Sequence, residues 1–136
     1  TYALPGMPLI YNGQEYDFDK RLKFFEKDTV THNPGKMFPV YEKLGKLKKD
    51  NPALHGGVNK ASYERIKTSD DQNILAFKRE KNGKKVIYIA NLSKQIVKFR
   101  LPLEGEFENY MKSEKISLKN KQELEFQPWE YWILVQ

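Results

Sequence analysis

The sequence predicts a mainly β protein: an antiparallel, Greek-key-like β-sandwich of about eight strands, preceded by a strand, a long loop and one amphipathic helix. Three observations carry this. After Gly57, apolar and polar residues alternate with period two in short runs. Clusters of turn-forming residues separate those runs. Before Gly57 the clearest periodicity is helical.

Met7-Pro8-Leu9-Ile10-Tyr11 is a short continuous apolar run, the pattern of a strand buried on both faces as parallel strands are. Pro5 and Pro8 confine its start and Gly13 ends it. Residues 16–37 follow as an irregular stretch with Asp17, Asp19, Arg21, Phe24, Phe25 and Asp28, and a loop this long in a compact domain is usually functional. From Phe38 to Lys49, Phe38, Val40, Tyr41, Leu44 and Leu47 recur mostly three and four residues apart, which makes an amphipathic helix. Pro39 suits its first turn, and Asn51-Pro52 stops it because the residue before a proline is pushed out of the helical region. His55-Gly56-Gly57 marks the boundary, dividing the chain into residues 1–55 and 56–136.

Strands are expected at Val58 to Ile66, Asn73 to Arg79, Val86 to Leu92, Ile96 to Leu101, Glu106 to Met111, Ile116 to Leu118, Glu123 to Phe126 and Trp129 to Val135. The strongest turn signal is Asn82-Gly83, since both residues tolerate the positive φ of a type I′ hairpin. So many short strands in about 80 residues point to a sandwich.

At 136 residues, with 39% hydrophobic and 31% charged side chains, the chain is apolar enough to bury a core. The net charge of +6 raises nucleic-acid binding as a hypothesis. Its distribution argues against it: residues 1–50 carry nine basic and seven acidic side chains, the remainder fifteen and eleven. The densest cluster, Lys43, Lys46, Lys48 and Lys49, reads as the solvated face of a helix. No nucleic acid is therefore expected as a partner. No membrane partner is expected either, since no apolar run approaches the roughly 20 residues of a membrane span. With no cysteine, the chain has no disulfide, thiolate nucleophile or Cys-based metal site.

Four motifs in a fixed order carry a family resemblance. Gly6-Met-Pro-Leu-Ile-Tyr-Asn-Gly-Gln-Glu15 ends a strand in a Gly-Gln-Glu turn, and Lys48-Lys-Asp-Asn-Pro-Ala-Leu54 closes the helix. Asn73-Ile-Leu-Ala-Phe-Lys-Arg79 with Asn91-Leu-Ser93 opens the β region, and Pro128-Trp-Glu-Tyr131 leads into its last strand. The order resembles the C-terminal end of glycoside hydrolase family 13, the α-amylase family. The resemblance implies that residues 1–55 are the last strand, loop and helix of a (β/α)8 barrel and that residues 56–136 are the C-terminal sandwich. Because the strand opens the chain, which has no starting Met, the chain is expected to be the tail of a larger enzyme. The partners so implied are an α-glucan substrate, reached through the parent enzyme, and the rest of the catalytic barrel. Without that barrel, an exposed eighth strand is a site of self-association.

Retaining glycosidases need two carboxyl groups about 5 to 5.5 Å apart, one as nucleophile and one as acid/base. In the family these come from the fourth and fifth barrel strands, with a further aspartate after the seventh, and none of these is in the chain. Glu15, Asp17 and Asp19 form the one carboxylate cluster with a claim to chemistry, and an acidic loop that caps the barrel, or pairs with Lys20 and Arg21, is the plainer reading. The resemblance makes Asp19 and Arg21 substrate contacts on the non-reducing side of the cleavage point; a surface ion pair is the alternative. The tryptophan that family members often carry near Phe24-Phe25 is absent.

His32 and His55 lack metal-ligand spacing. No cofactor is expected in this chain: the family's calcium lies between the barrel and an inserted loop not represented here, so any calcium belongs to the parent. Trp129 and Tyr131 could form a starch-binding platform. Alternation puts Trp129, Tyr131, Ile133 and Val135 on one face and Trp132 and Leu134 on the other, which instead suits a last strand with one side in the sandwich core and the other against the barrel. The purified chain is expected to release no reducing sugar from starch, and robust hydrolysis by it would overturn the assignment of the catalytic carboxylates to strands outside it.

Overall fold

A computed structural model describes residues 1–136. It contains one α-helix, α1 (Met37–Asp50), and eight strands: β1 (Glu64–Arg65), β2 (Ile74–Lys81), β3 (Lys84–Asn91), β4 (Val97–Arg100), β5 (Gly105–Asn109), β6 (Glu114–Leu118), β7 (Glu123–Phe126) and β8 (Tyr131–Val135). Single 3-10 turns lie at Gln14–Tyr16, Pro52–Leu54 and Gly57–Asn59. No helix is long and apolar enough to cross a membrane.

The strands form two antiparallel sheets, a large one in the order β1-β2-β3-β8-β5-β6 and a small one pairing β4 with β7. The chain crosses between sheets four times, so β8 returns to lie between β3 and β5. One face of the large sheet packs on the small sheet through Ile74, Ile87, Ile89, Phe107 and Leu134 against Val97, Phe99, Leu124 and Phe126. Phe126 is the hub, edge-on to Phe99 at 5.1 Å between ring centroids and tilted against Trp132 at 4.7 Å. The other face carries Phe77, Val86 and Ile133, which meet Leu47 of α1, Ala53 and Leu54 of the connector, and Ala3 near the N-terminus. The molecule is thus three layers deep, with α1 and the connector on one side of the large sheet and the small sheet on the other. Tyr131, Ile133 and Val135 lie toward α1, whereas Trp132 and Leu134 lie in the sandwich core, as alternation along β8 requires.

Asn82 (φ 52°) and Gly83 (φ 72°) make the two-residue turn joining β2 to β3, with Lys81 opposite Lys84. Asn91, fully buried, directs the first crossing between sheets. Its Nδ2 donates to the carbonyls of Gln95 (2.7 Å) and Gln127 (3.0 Å), while its Oδ1 accepts from the Ser93 amide (3.0 Å) and hydroxyl (2.8 Å). The Asn-Leu-Ser motif is therefore a polar pin between the β3–β4 crossing and the β7–β8 turn.

Three expectations are corrected. No strand forms at Met7–Tyr11; from Pro5 to Ile10 no backbone amide or carbonyl is hydrogen-bonded within the chain, and Met7 is 94% exposed. A parallel strand draws its hydrogen bonds from neighbours on either side, and every other strand here is engaged in the sandwich. The first sandwich strand shrinks from Val58–Ile66 to Glu64–Arg65, because residues 57–59 turn and Val58 points into solvent. The last begins at Tyr131 rather than Trp129, whose φ of 62° belongs to a turn.

Helix α1 starts without a capping side chain of its own. Asp17 supplies one from twenty residues upstream: its carboxylate accepts from the amides of Lys36 and Met37, the latter at 3.1 Å. Gly35 makes this reach feasible, since a Cβ there would collide with the Asp17 carboxyl group. A carboxylate so placed satisfies orphan amides and complements the helix dipole.

Asp17→Ala is expected to cost about 1 kcal/mol, read as a lower thermal midpoint, while Asp19→Ala stays within about 0.5 kcal/mol of wild type. Equal effects of the two substitutions would refute the capping role. Burial raises the phenol pKa values of Tyr2, Tyr88 and Tyr110, with smaller upward pushes from Tyr41 on Tyr2, from Tyr131 on Tyr88, and from Asp50 and Glu108 on Tyr110. A folded pKa above the unfolded value gives stability that is complete below the unfolded value, about 10, and is lost as pH rises through the folded values. Above about pH 9 the urea midpoint of wild type should fall relative to that of Tyr88→Phe; identical slopes would count against this.

Candidate functional site

The Gly-Gln-Glu turn that closes the first motif holds itself together. Gly13 adopts φ 96°, Gln14 Oε1 accepts from the Tyr11 amide at 2.8 Å, and Glu15 Oε2 accepts from the Gly13 amide at 3.1 Å. The amides of Tyr16 and Phe18 both bond to the Gly13 carbonyl. Gln14 and Glu15 are thereby committed to the turn. Tyr16 continues it by stacking on His32, with centroids 4.8 Å apart, and on Phe38 at the start of α1.

The next segment is organised around Asp28. Its carboxylate accepts from Lys20 Nζ (2.8 Å) and from the amides of Lys23 (3.0 Å) and Thr29 (2.8 Å). Those donors, Lys20 first, hold its carboxyl well below the usual carboxylate range. Lys20 is taken by Asp28, and Asp17 is taken by the helix start. Asp19 and Arg21 are left exposed, with no hydrogen bond or ion pair to each other or to any other group. The ion pair weighed as their alternative role is not formed; Lys20–Asp28 occupies that place. A free carboxylate and a free guanidinium two residues apart on a loop whose neighbours are tied down could accept from and donate to the hydroxyls of a polyol.

The aromatic residues of the last strand do not form one platform. Trp129 sits 58% exposed on the β7–β8 turn, while Tyr131 stacks on Tyr88 at 6.3 Å. Tyr88 in turn stacks on Phe77 at 5.1 Å, and Phe77 tilts against Tyr63 at 5.2 Å, so a row of four rings crosses the large sheet. Three of these rings, Phe77, Tyr88 and Tyr131, floor an apolar groove of about 330 Å³ whose walls are Tyr2, Val40, Tyr41 and Leu44. No three His, Asp or Glu side chains converge closely enough to hold a metal ion. His55 Nε2 lies 3.4 Å from the Lys49 carbonyl, and His32 faces Tyr16.

Sequence reasoning missed four polar residues that fix the loop and its attachment: Asp17, Asp28, Lys48 and Arg79. Arg79 had a visible signal. It follows Leu75 and Phe77 at spacings of two, on the apolar side of an alternating strand, where a charged residue needs an explanation. Asp17 and Lys48 had none, because their partners are main-chain groups brought near only by folding, and nothing in the spacing of Lys20, Lys23 and Thr29 singled out Asp28 as their common acceptor.

Comparisons with known proteins agree with this architecture. Across 98% of its length the chain superposes on a maltogenic α-amylase from Thermotoga neapolitana (TM-score 0.78, 18% identity), covering 34% of that protein. It likewise superposes over 98% of its length on α-amylases from Anoxybacillus (TM-score 0.76, 19% identity) and Lactobacillus plantarum (TM-score 0.71, 20% identity), covering 30% of each. The likeness is one of fold, and the chain spans about a third of the length of these structures. No curated protein sequence matches it. Residues 63–133, which run from the edge of β1 to the core of β8, match the model of the maltogenic amylase C-terminal domain, and the chain belongs to that family.

Proposed function

We propose that the chain is the C-terminal part of an α-glucan-acting glycoside hydrolase of the α-amylase type. In this reading residues 1–55 complete the catalytic barrel, residues 56–136 form a non-catalytic sandwich that braces it, and Asp19 and Arg21 contact the sugar. The observation that carries the reading is the extent of the match: nearly the whole chain, loop and helix included, follows a third of much longer α-amylases. The exposed apolar side chains support it as well. Met7, Leu9, Tyr11, Phe24 and Phe25 all face solvent, Phe24 and Phe25 edge-on at 4.8 Å, and so many large apolar side chains exposed in one segment are what another structural element would cover. Neighbouring barrel strands would also supply the hydrogen bonds that residues 5–10 lack.

In the parent, two carboxylates on other strands would cleave the α-glucosidic bond with retention. The contribution of this chain would be to hold the substrate. Asp19 would accept from, and Arg21 donate to, hydroxyls on the non-reducing side of the cleaved bond.

In the enzyme that carries this segment, Arg21→Ala and Asp19→Ala are each expected to lower kcat/KM on a maltooligosaccharide by roughly tenfold or more, as loss of a charge-assisted hydrogen bond implies. Values within about twofold of the parent would remove both residues from the substrate site. Titrating the isolated chain with the same sugar distinguishes the other class of function: millimolar binding abolished by Trp129→Ala would make the sandwich a starch-binding module.

A further inference from the structure

Arg79 is fully enclosed, 0% exposed, yet no carboxylate pairs with it. Its Nε donates to the Ser62 carbonyl at 2.7 Å, Nη1 to that of Ala3 at 3.1 Å and Nη2 to that of His55 at 3.0 Å. Beside it Lys48, from α1, donates Nζ to the carbonyls of Tyr2 (3.2 Å) and Leu54 (3.1 Å). Burial, and then the nearby Arg79 charge, hold the Lys48 ammonium below its usual range. Two cations with no counterion thus gather five carbonyls, two from the N-terminal segment, two from the connector and one from the approach to β1.

Burying a charge is unfavourable, and an apolar side chain of similar volume at position 79 would satisfy packing alone at least as well. What an apolar side chain cannot do is select an orientation. The contacts of Ala3, Ala53 and Leu54 with Phe77 are non-directional and tolerate sliding, whereas the guanidinium presents its donors in a rigid planar fork. Each carbonyl it holds comes from a different stretch of chain, so one side chain fixes three segments against β2.

We infer that Arg79, assisted by Lys48, is a positioning latch that locks the N-terminal segment and the connector in one orientation on the sandwich. The latch sets the point from which the chain departs toward the loop of Asp19 and Arg21, whose other end Asp17 ties to α1. What Asp19 and Arg21 do there rests on the reading above; the latch does not, and its failure would leave that reading standing.

Amide hydrogen exchange on the whole chain, compared among wild type, Arg79→Met, Arg79→Lys and Lys48→Met, tests the inference. Both Arg79 variants are expected to speed exchange by about tenfold or more at Leu4, His55 and Ala61, the last bonded to the His55 carbonyl, while amides of the β3–β8 ladder change by less than about threefold. Arg79→Lys keeps the charge but not the fork, so it decides the question should the methionine variant fail to fold. Lys48→Met should produce a smaller increase confined to Leu4, Leu54 and His55. An equal rise throughout the sandwich, unchanged exchange at Leu4 and His55, or an unfolded Arg79→Lys variant would overturn the latch, since each makes Arg79 a residue of general stability or of none.

Discussion

The large sheet has no water-facing side along its centre, and the rest of the molecule is arranged around that fact. In β3, Val86 and Tyr88 point one way and Ile87 and Ile89 the other, and β8 repeats the arrangement with Ile133 against Trp132 and Leu134. A sheet apolar on both faces must be covered twice. The small β4–β7 sheet covers one face, with Phe99 and Phe126 filling the interior. Helix α1 and the connector cover the other through Leu44, Leu47, Ala53 and Leu54. Residues 37–54 are therefore part of the sandwich's own stability, whatever else they bind.

Apolar cover is indifferent to small rotations, and the structure supplies direction with buried polar side chains that bind main-chain carbonyls. Asn91 does so on the small-sheet side, joining the β3–β4 crossing to the β7–β8 turn. Arg79 and Lys48 do so on the helix side. Arg65 is a third instance at the sheet edge, where it donates to the carbonyls of Ile66, Ile74 and Ala76 as well as to Asp71. Asn91, Arg79 and Lys48 join segments remote from their own strand or helix, whereas Arg65 reinforces the β1–β2 pairing. The fold is held by burial and indexed by these pins.

The N-terminal loop is built differently. The loop after Gly13 has few apolar anchors and is shaped by carboxylates that accept from amides: Glu15 on Gly13, Asp28 on Lys23 and Thr29, Asp17 on Lys36 and Met37. Of the three carboxylates clustered near the turn, two are thereby occupied, and Asp19 is the one left free. Its availability is a consequence of what its neighbours hold.

Alternation, turn chemistry and the helical repeat were legible in the sequence because each depends on residues a few positions apart. The eight expected sandwich strands, the first much shortened, the Asn82-Gly83 hairpin and α1 follow from such local patterns, and the joint order of four motifs pointed to the family. The Met7–Tyr11 run had the composition of a buried parallel strand, but a strand is a relation between segments, and this one has no neighbour with which to pair. Tertiary structure alone decided that Asp17 caps a helix twenty residues away, that Lys20 rather than Arg21 takes the ion pair, and that Arg79 lies enclosed among carbonyls from residues 3, 55 and 62. The Asp17 and Arg79 contacts are to main-chain groups, which look alike at every position of a sequence, and the Lys20–Asp28 pair depends on how the loop turns back on itself, so only the path of the folded chain selects the partners.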